Sequence, residues 1–180
     1  PKGHGDRFNA ETITTLSDYQ SLFASVQQES AIGEASPAYL SSAEKAAARI
    51  HHHIPQAKLI AILRQPAERA YSGFMHTVRN GLETNLNFEH ILQQEEKRIQ
   101  EHWGPLWQHQ RLGFYSQQLS HYYRQFPKEQ IRVYLYDDLK QDAAGLIQDI
   151  LEFLDVDSTF VPDMSKKVNV SGVTRSQWLR

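Results

Sequence analysis

The strongest constraint on the fold is the apolar run KLIAIL at residues 58–63, which is bounded by turn-forming residues on both sides. A continuous apolar run of this length is typical of a strand that is buried on both faces of a parallel sheet. The next segment, PAERAYSGFMHTVRN at residues 66–80, has apolar residues at helical spacing. Pro66 is tolerated in a first helical turn, and Gly81 is suited to end the helix. The sequence therefore predicts a buried strand that leads directly into a helix.

Further segments show the same two kinds of pattern. They predict helices over residues 17–28, from Ser41 or Ser42 to residue 54, over 88–101, 114–126 and 143–154, and strands over 31–33 and 131–136. Strands that alternate with helices favour an α/β domain with a mostly parallel sheet and right-handed crossovers. A chain of 180 residues fits a single domain, which we expect to cover residues 1–180.

Composition excludes several classes of function. The chain has no cysteine, so disulfides, thiolate metal sites and cysteine nucleophiles are excluded. Its formal net charge of −2 provides no basic field for nucleic acid, which we do not expect as a partner. The sequence contains neither the roughly 18 to 20 consecutive apolar residues of a membrane span nor a signal-peptide pattern. We expect a cytoplasmic protein.

The ends of the predicted strands carry the candidate ligand-binding residues. In open α/β sheets ligands bind beyond the carboxyl ends of the strands, where Glu34, Arg64, Asp137 and Asp138 stand. The two aspartates are suited to cap the following helix. Arg64 directly precedes a helix start, where free backbone N–H groups and a partial positive charge favour an anion. The position predicts a phosphate or sulfate site.

The helix that follows Arg64 adds polar side chains at spacings of three and four residues. Arg69, Ser72 and His76 share one face of that helix, so the Ser72 hydroxyl can donate to the anion that Arg64 binds. The alternative is that Arg64 and Arg69 are surface cations and Ser72 is a neutral helix position. The spacing alone leaves both readings open.

Three consecutive histidines, His51, His52 and His53, resemble a metal site at first sight. Consecutive helical side chains point about 100° apart, so the three rings cannot converge on one ion. We interpret them as the end of a helix, where imidazole rings suit the negative end of the helix dipole. We predict no metal site.

The segment LIAILRQPAERAYSGFMHTVRNG closely resembles the 3′-phosphate-binding segment of sulfotransferases that use 3′-phosphoadenosine-5′-phosphosulfate (PAPS). The family pattern of arginine, proline, a second arginine, alanine and serine is filled by Arg64, Pro66, Arg69, Ala70 and Ser72. GEASPAYL at residues 33–40, the helix and strand at residues 113–139, and NVSG at residues 169–172 also resemble family segments, in the family's order.

The resemblance implies a three-layer fold like that of P-loop nucleoside triphosphatases, with PAPS as donor and adenosine 3′,5′-bisphosphate (PAP) as product. It implies that Arg64 and Ser72 bind the 3′-phosphate of the donor. A loop at residues 166–175 would close over that phosphate, and Asn169, Ser171 and Gly172 are its candidate contacts.

The resemblance also assigns catalytic candidates. Glu34 stands where the heparan-type branch has the general base that takes a proton from the acceptor, and His76 stands where some carbohydrate members have histidine. The acceptor would be a hydroxyl or amine of a carbohydrate, a lipid or a natural product. Without the resemblance, we would interpret Glu34 as a helix cap or a solvated acid, and His76 as an exposed side chain. Trp103 and Trp107 fit either an acceptor cleft or the core.

One family feature is missing from the sequence. Family members begin with a strand and a glycine-rich loop of Lys, Gly and Thr that holds the 5′-phosphosulfate, and the segment PKGHGDRFN does not replace it. We therefore expect the domain to be incomplete at its N-terminal side, so that this chain alone would be a poor catalyst. Two hypotheses follow: a PAPS-dependent sulfotransferase, or a non-catalytic PAP-binding or interaction domain.

Overall fold

The structure of the protein is a computed structural model that describes residues 13–163. The candidate donor contacts Asn169, Ser171 and Gly172 lie outside the described residues.

The described residues form eight α-helices and two strands: three helices precede the first strand, three lie between the strands, and two follow the second strand. The helices are α1 (Leu16–Ser21), α2 (Pro37–Ser41), α3 (Ala43–His53), α4 (Pro66–Arg79), α5 (Phe88–Gln100), α6 (Tyr115–Gln125), α7 (Tyr136–Gln141) and α8 (Ala143–Phe153), and the strands are β1 (Leu59–Leu63) and β2 (Ile131–Leu135). Short 3₁₀ turns cover Pro105–Trp107, Arg111–Gly113 and Lys128–Gln130. Most of these elements begin and end within two residues of the bounds that the sequence predicts.

The two strands pair in parallel, as the sequence predicts. Leu59 lies opposite Ile131 and Leu63 opposite Leu135, so both strands end at the same edge of the sheet. The chain between them contains α4, α5 and α6. The α/β class and the parallel sheet are confirmed.

Helices pack closely on one face of this strand pair and reach the other face mainly at β2. On one face, Ile131 and Val133 pack with alanines of α3 and with Tyr122 and Phe126 in and after α6. On the other face, the Arg132 guanidinium lies 4.8 Å from the ring centre of Phe153 in α8. The alternation of side chains along β2 thus produces a helix–sheet–helix arrangement. On the second face Ile60 and Ile62 of β1 are 38% and 45% exposed within the described residues, so the predicted burial of β1 on both faces is wrong.

Two further local predictions are wrong. Residues 31–33 are not a strand, because no strand among residues 13–163 lies beside them to satisfy their backbone groups, and Ile32 is exposed. The first helix is shorter than predicted because it ends at Ser21 instead of residue 28. It begins one residue earlier than predicted, after Thr15, whose hydroxyl accepts from the Asp18 N–H at 3.1 Å.

The predicted capping role is confirmed for Asp138, but the helix that it caps is α7 and not the predicted helix over residues 143–154. β2 turns directly into α7, so both aspartates lie within that helix, where the Asp138 carboxylate accepts from the Leu135 N–H at 3.1 Å. The cap of α8 is Asp142, whose carboxylate accepts from the Gly145 N–H at 2.9 Å.

Candidate functional site

The candidate site begins where β1 turns into α4. Gln65 caps α4 by accepting from the Glu68 N–H at 2.7 Å, and Pro66 occupies the first turn. The helix therefore starts at the point that its sequence predicts, two residues after Arg64. Its first backbone N–H groups and its dipole face the carboxyl end of β1.

Three contacts hold Arg64 there and leave the end of its guanidinium able to bind a ligand. Its Nε donates to the Glu68 carboxylate at 3.0 Å, its guanidinium lies 5.5 Å from the ring centre of Tyr136, and its carbonyl accepts from the Tyr115 hydroxyl at 2.9 Å. The two terminal nitrogens make no hydrogen bond within residues 13–163. An exposed ion pair such as Arg64–Glu68 contributes little, so an anion can replace Glu68.

Ser72 lies on the same strand–helix unit. It is half-buried, six residues after Pro66, which is about 9 Å along the helix axis. Its hydroxyl has no hydrogen-bond partner in the described part of the chain. No contact joins Ser72 to Arg64.

Arg69 has a different role from the one that its spacing predicts. Its guanidinium donates to the backbone carbonyl of His109, 40 residues further along the chain, and its Nε is buried. Burial lowers the pKa of Arg69 from its usual value. Arg69 is thus neither a surface cation nor free to bind an anion, because it attaches the segment around His109 to α4.

His76 lies towards the end of α4, exposed to solvent. Its ring nitrogens lie 3.2 Å from an Arg79 guanidinium nitrogen and 3.0 Å from the Asn80 amide nitrogen. No hydrogen bond joins it to Arg64, Ser72 or Glu34 within residues 13–163. Its role toward an acceptor stays a prediction.

Glu34 is exposed in the loop before α2, and tyrosines surround its carboxylate. The Tyr39 hydroxyl donates to Glu34 Oε1. Burial, followed by this hydrogen bond, raises the pKa of Tyr39; burial and the charge of Glu34 also raise the pKa of Tyr19. Both phenols therefore stay protonated at neutral pH and can donate to the carboxylate. No hydrogen bond or ion pair joins Glu34 to Arg64.

A buried polar cluster supports α4 from the side of α5. His109 is 1% exposed, and the partly buried Arg98 forms an ion pair of 2.7 Å with the buried Glu83. The Glu95 carboxylate accepts from the N–H groups of Gln110 and Arg111 at 2.7 and 2.8 Å. These bonds fix the chain around His109, where Arg69 reaches it.

Sequence reasoning missed this cluster, although one signal was present. Glu95 follows Phe88, Ile91 and Leu92 at helical spacing, so a carboxylate stands on the apolar side of α5. A carboxylate in that position has to be paired when it is buried. Trp107, beside the cluster, is 6% exposed and belongs to the core.

The three histidines of α3 occupy its last turn, as predicted, and the helix ends at His53. The His51 ring packs against Phe126 with ring centres 5.2 Å apart, and the His52 and His53 rings contact each other. The run is a helix end in the structure.

Comparison with known proteins identifies the family. The family model described as the sulfotransferase domain matches residues 36–171, most of the chain. The chain belongs to the sulfotransferase domain family. The matched range includes Arg64, Ser72 and His76, and it begins two residues after Glu34.

A solved structure agrees with this assignment. The sulfotransferase from Alicyclobacillus acidocaldarius has a TM-score of 0.85 to this chain at 38% sequence identity, over 93% of this chain and 68% of that protein. The fold of the chain is therefore that of a sulfotransferase domain, which confirms the fold that the resemblance implied.

Two curated relatives are similar in sequence. Human heparan sulfate glucosamine 3-O-sulfotransferase 6 is 32% identical over 146 residues, which are 77% of this chain and 39% of that protein. The mouse protein of the same name is 32% identical over 128 residues, 67% of this chain and 34% of its own length. The chain thus spans well under half of the length of these relatives. No helix among residues 13–163 is long and apolar enough to cross a membrane.

The buried histidine generates a prediction about pH. Burial, helped by the charges of Arg69 and Arg98, lowers the pKa of His109 to about 4. Below about pH 6.5 the unfolded chain takes up a proton at His109, whereas the folded chain keeps this imidazole neutral down to about pH 4. The free energy of unfolding is therefore at its full value above pH 6.5 and decreases as the pH falls from 6.5 towards 4. We expect a loss of about 3 kcal/mol in the free energy of unfolding across this window.

Urea denaturation between pH 4 and 7.5 measures this loss. His109→Gln removes the titrating group and should flatten the pH dependence, whatever its effect on stability at pH 7.5. His90→Gln, an exposed position on α5, should leave the dependence as it is in the wild type. An equal slope in wild type and His109→Gln would contradict the assignment.

Proposed function

We propose that this chain carries the donor site and the general base of a PAPS-dependent sulfotransferase. Arg64 and Ser72 bind the 3′-phosphate of the donor, and Glu34 accepts the proton of the acceptor group. The observation that carries the proposal is the position of Arg64 at the carboxyl end of β1, before the start of α4, with both terminal nitrogens unengaged in the described residues. Membership of the sulfotransferase family supports a sulfate-donor nucleotide as the ligand of this anion site.

The chemistry of the turn suits a phosphate monoester. A guanidinium presents two parallel N–H groups to phosphate oxygens, a charge-assisted contact that is stronger than a neutral hydrogen bond. The Ser72 hydroxyl adds a donor, and in the first turn of α4 the Ala67 N–H is the backbone donor left unpaired within the described residues. A nucleotide without a 3′-phosphate leaves these donors unpaired, which is the physical basis of selectivity for PAPS and PAP over ADP and AMP.

Glu34 suits the role of general base. PAPS supplies the sulfuryl group: a bond forms from sulfur to the acceptor oxygen or nitrogen, and the bond from sulfur to the 5′-phosphate oxygen breaks, which releases PAP. Glu34 takes the proton that the acceptor loses. The Tyr39 hydroxyl donates to Glu34 Oε1 and orients the carboxylate, and the exposed loop gives an acceptor access to it.

We propose a carbohydrate hydroxyl as the acceptor. The two curated relatives are named for transfer to a glucosamine of heparan sulfate, and the exposed position of Glu34 is compatible with a large acceptor. Heparan sulfate is therefore the first acceptor to test, before lipids and natural products.

Calorimetric titration with PAP tests the donor site, with ADP and AMP as controls. Arg64→Ala should weaken PAP binding at least tenfold, because a charge-assisted pair contributes about 1.5–3 kcal/mol. Arg124→Ala, an exposed arginine of α6, is the matched control and should bind as the wild type does. PAP binding that is no tighter than AMP binding, or that survives Arg64→Ala, would contradict the site.

Transfer of labelled sulfate from PAPS to heparan sulfate tests the base. Glu34→Gln should lower kcat by about 10²–10⁴, the usual contribution of a general base, while the Kd for PAP stays unchanged. Glu44→Gln, an exposed glutamate of α3, should have no effect on either quantity. Because we expect this chain alone to be a poor catalyst, the readout is the ratio of the variant kcat to the wild-type kcat. A Glu34→Gln variant that transfers sulfate at the wild-type rate would contradict the base.

A further inference from the structure

Helix α6 contacts both halves of the candidate site through two tyrosines. The Tyr115 hydroxyl donates to the backbone carbonyl of Arg64 at 2.9 Å, across 51 residues of sequence. The Tyr122 hydroxyl donates to the backbone carbonyl of Tyr39 at 2.9 Å, across 83 residues. Helix α6 is thus hydrogen-bonded to the Arg64 turn, which carries the candidate anion site, and to α2, which contains Tyr39, the donor to Glu34.

On the donor side, Tyr115 is bonded to the junction between β1 and α4. Tyr115 is half-buried, and burial raises its pKa, so the hydroxyl remains a donor at neutral pH. Gly113, just before α6, lies so close to Pro66 that an added Cβ would be 3.1 Å from the Pro66 Cβ. The chain entering α6 therefore supports the Arg64–Pro66 turn by a hydrogen bond and by close packing.

On the base side, Tyr122 belongs to the core. It is 7% exposed and packs with the alanines of α3, and burial raises its pKa to about 12. Its hydroxyl fixes the backbone of Tyr39, whose own hydroxyl donates to Glu34. The orientation of the candidate base thus depends on α6 through a chain of two hydrogen bonds.

The spacing of the two tyrosines makes the helix suitable for this task. Seven residues separate them, which is about two helical turns and about 10 Å, so both side chains leave the same face of α6. A helix anchored in the core by Tyr122 moves as a rigid unit. Its length therefore sets the separation between the two bonded carbonyls.

We propose that α6 is the positioning element of the site, with Tyr115 as the positioning residue for donor binding and Tyr122 as the positioning residue for Glu34. The inference rests on the proposed function, and it assigns the two tyrosines separable effects. Loss of the Tyr115 hydroxyl leaves the Arg64 carbonyl unpaired and loosens the anion site. Loss of the Tyr122 hydroxyl leaves the anion site intact and loosens the support of the base.

Tyr-to-Phe variants separate these effects, because each removes one oxygen and keeps the ring. Tyr115→Phe should raise the Kd for PAP roughly three- to tenfold, the value of one hydrogen bond, and should change kcat little. Tyr122→Phe should leave the Kd for PAP within about twofold and lower kcat for transfer from PAPS to heparan sulfate roughly three- to tenfold. Tyr123→Phe, on the same helix and 43% exposed, should change neither quantity.

A merely structural role would give another result. If the tyrosines only stabilised the fold, the two variants would affect PAP binding equally or not at all, whatever their melting temperatures. Either effect on binding overturns the inference. A wild type that binds PAP, together with a Tyr115→Phe that binds it equally well, overturns this inference alone. A wild type that fails to bind PAP contradicts the proposed function and removes the basis of the inference with it.

Discussion

The parallel pairing of β1 with β2 determines where the candidate residues lie. Because Leu63 is opposite Leu135, both strands end at one edge, and the next residues, Arg64 and Tyr136, become neighbours. Each strand turns at that edge into a helix whose N-terminus points back to it. A cation, an aromatic ring and helix N-termini are thereby brought together by backbone hydrogen bonds alone, before any side chain contributes.

Polar contacts behind this edge then restrict its movement. Arg69 attaches α4 to the segment around His109, and Glu95 fixes the same segment from α5. Tyr115, a few residues after this segment, donates its hydroxyl to the Arg64 carbonyl. Buried polar groups are costly when unpaired, so such contacts specify one arrangement of the chain more than they add stability. The proposed phosphate site at this turn would benefit from such support, because an anion site that is already ordered loses less entropy on binding.

The sequence predicts the strand–helix unit well because its signals are local. Three local signals act within a few residues of their own positions: the apolar run of β1, Pro66 in the first turn of α4, and Gly81 just after its end. The structure accordingly has a helix that begins at Pro66 and ends at Arg79. The failures arise where tertiary contacts decide. Residues 31–33 look like a strand but have no partner in the described chain, and the spacing of Arg69 predicts an exposed face although the segment around His109 covers it. The hydrogen bonds of Tyr115 and Tyr122 join positions 51 and 83 residues apart, so no local pattern reveals them.

A crystal structure of the chain with PAP would show whether the end of β1 binds a 3′-phosphate. We expect the 3′-phosphate within hydrogen-bond distance of the Arg64 terminal nitrogens and the Ser72 hydroxyl, with the Arg64–Glu68 pair broken. A 3′-phosphate bound elsewhere, with Arg64 still paired to Glu68, would contradict the proposed donor site.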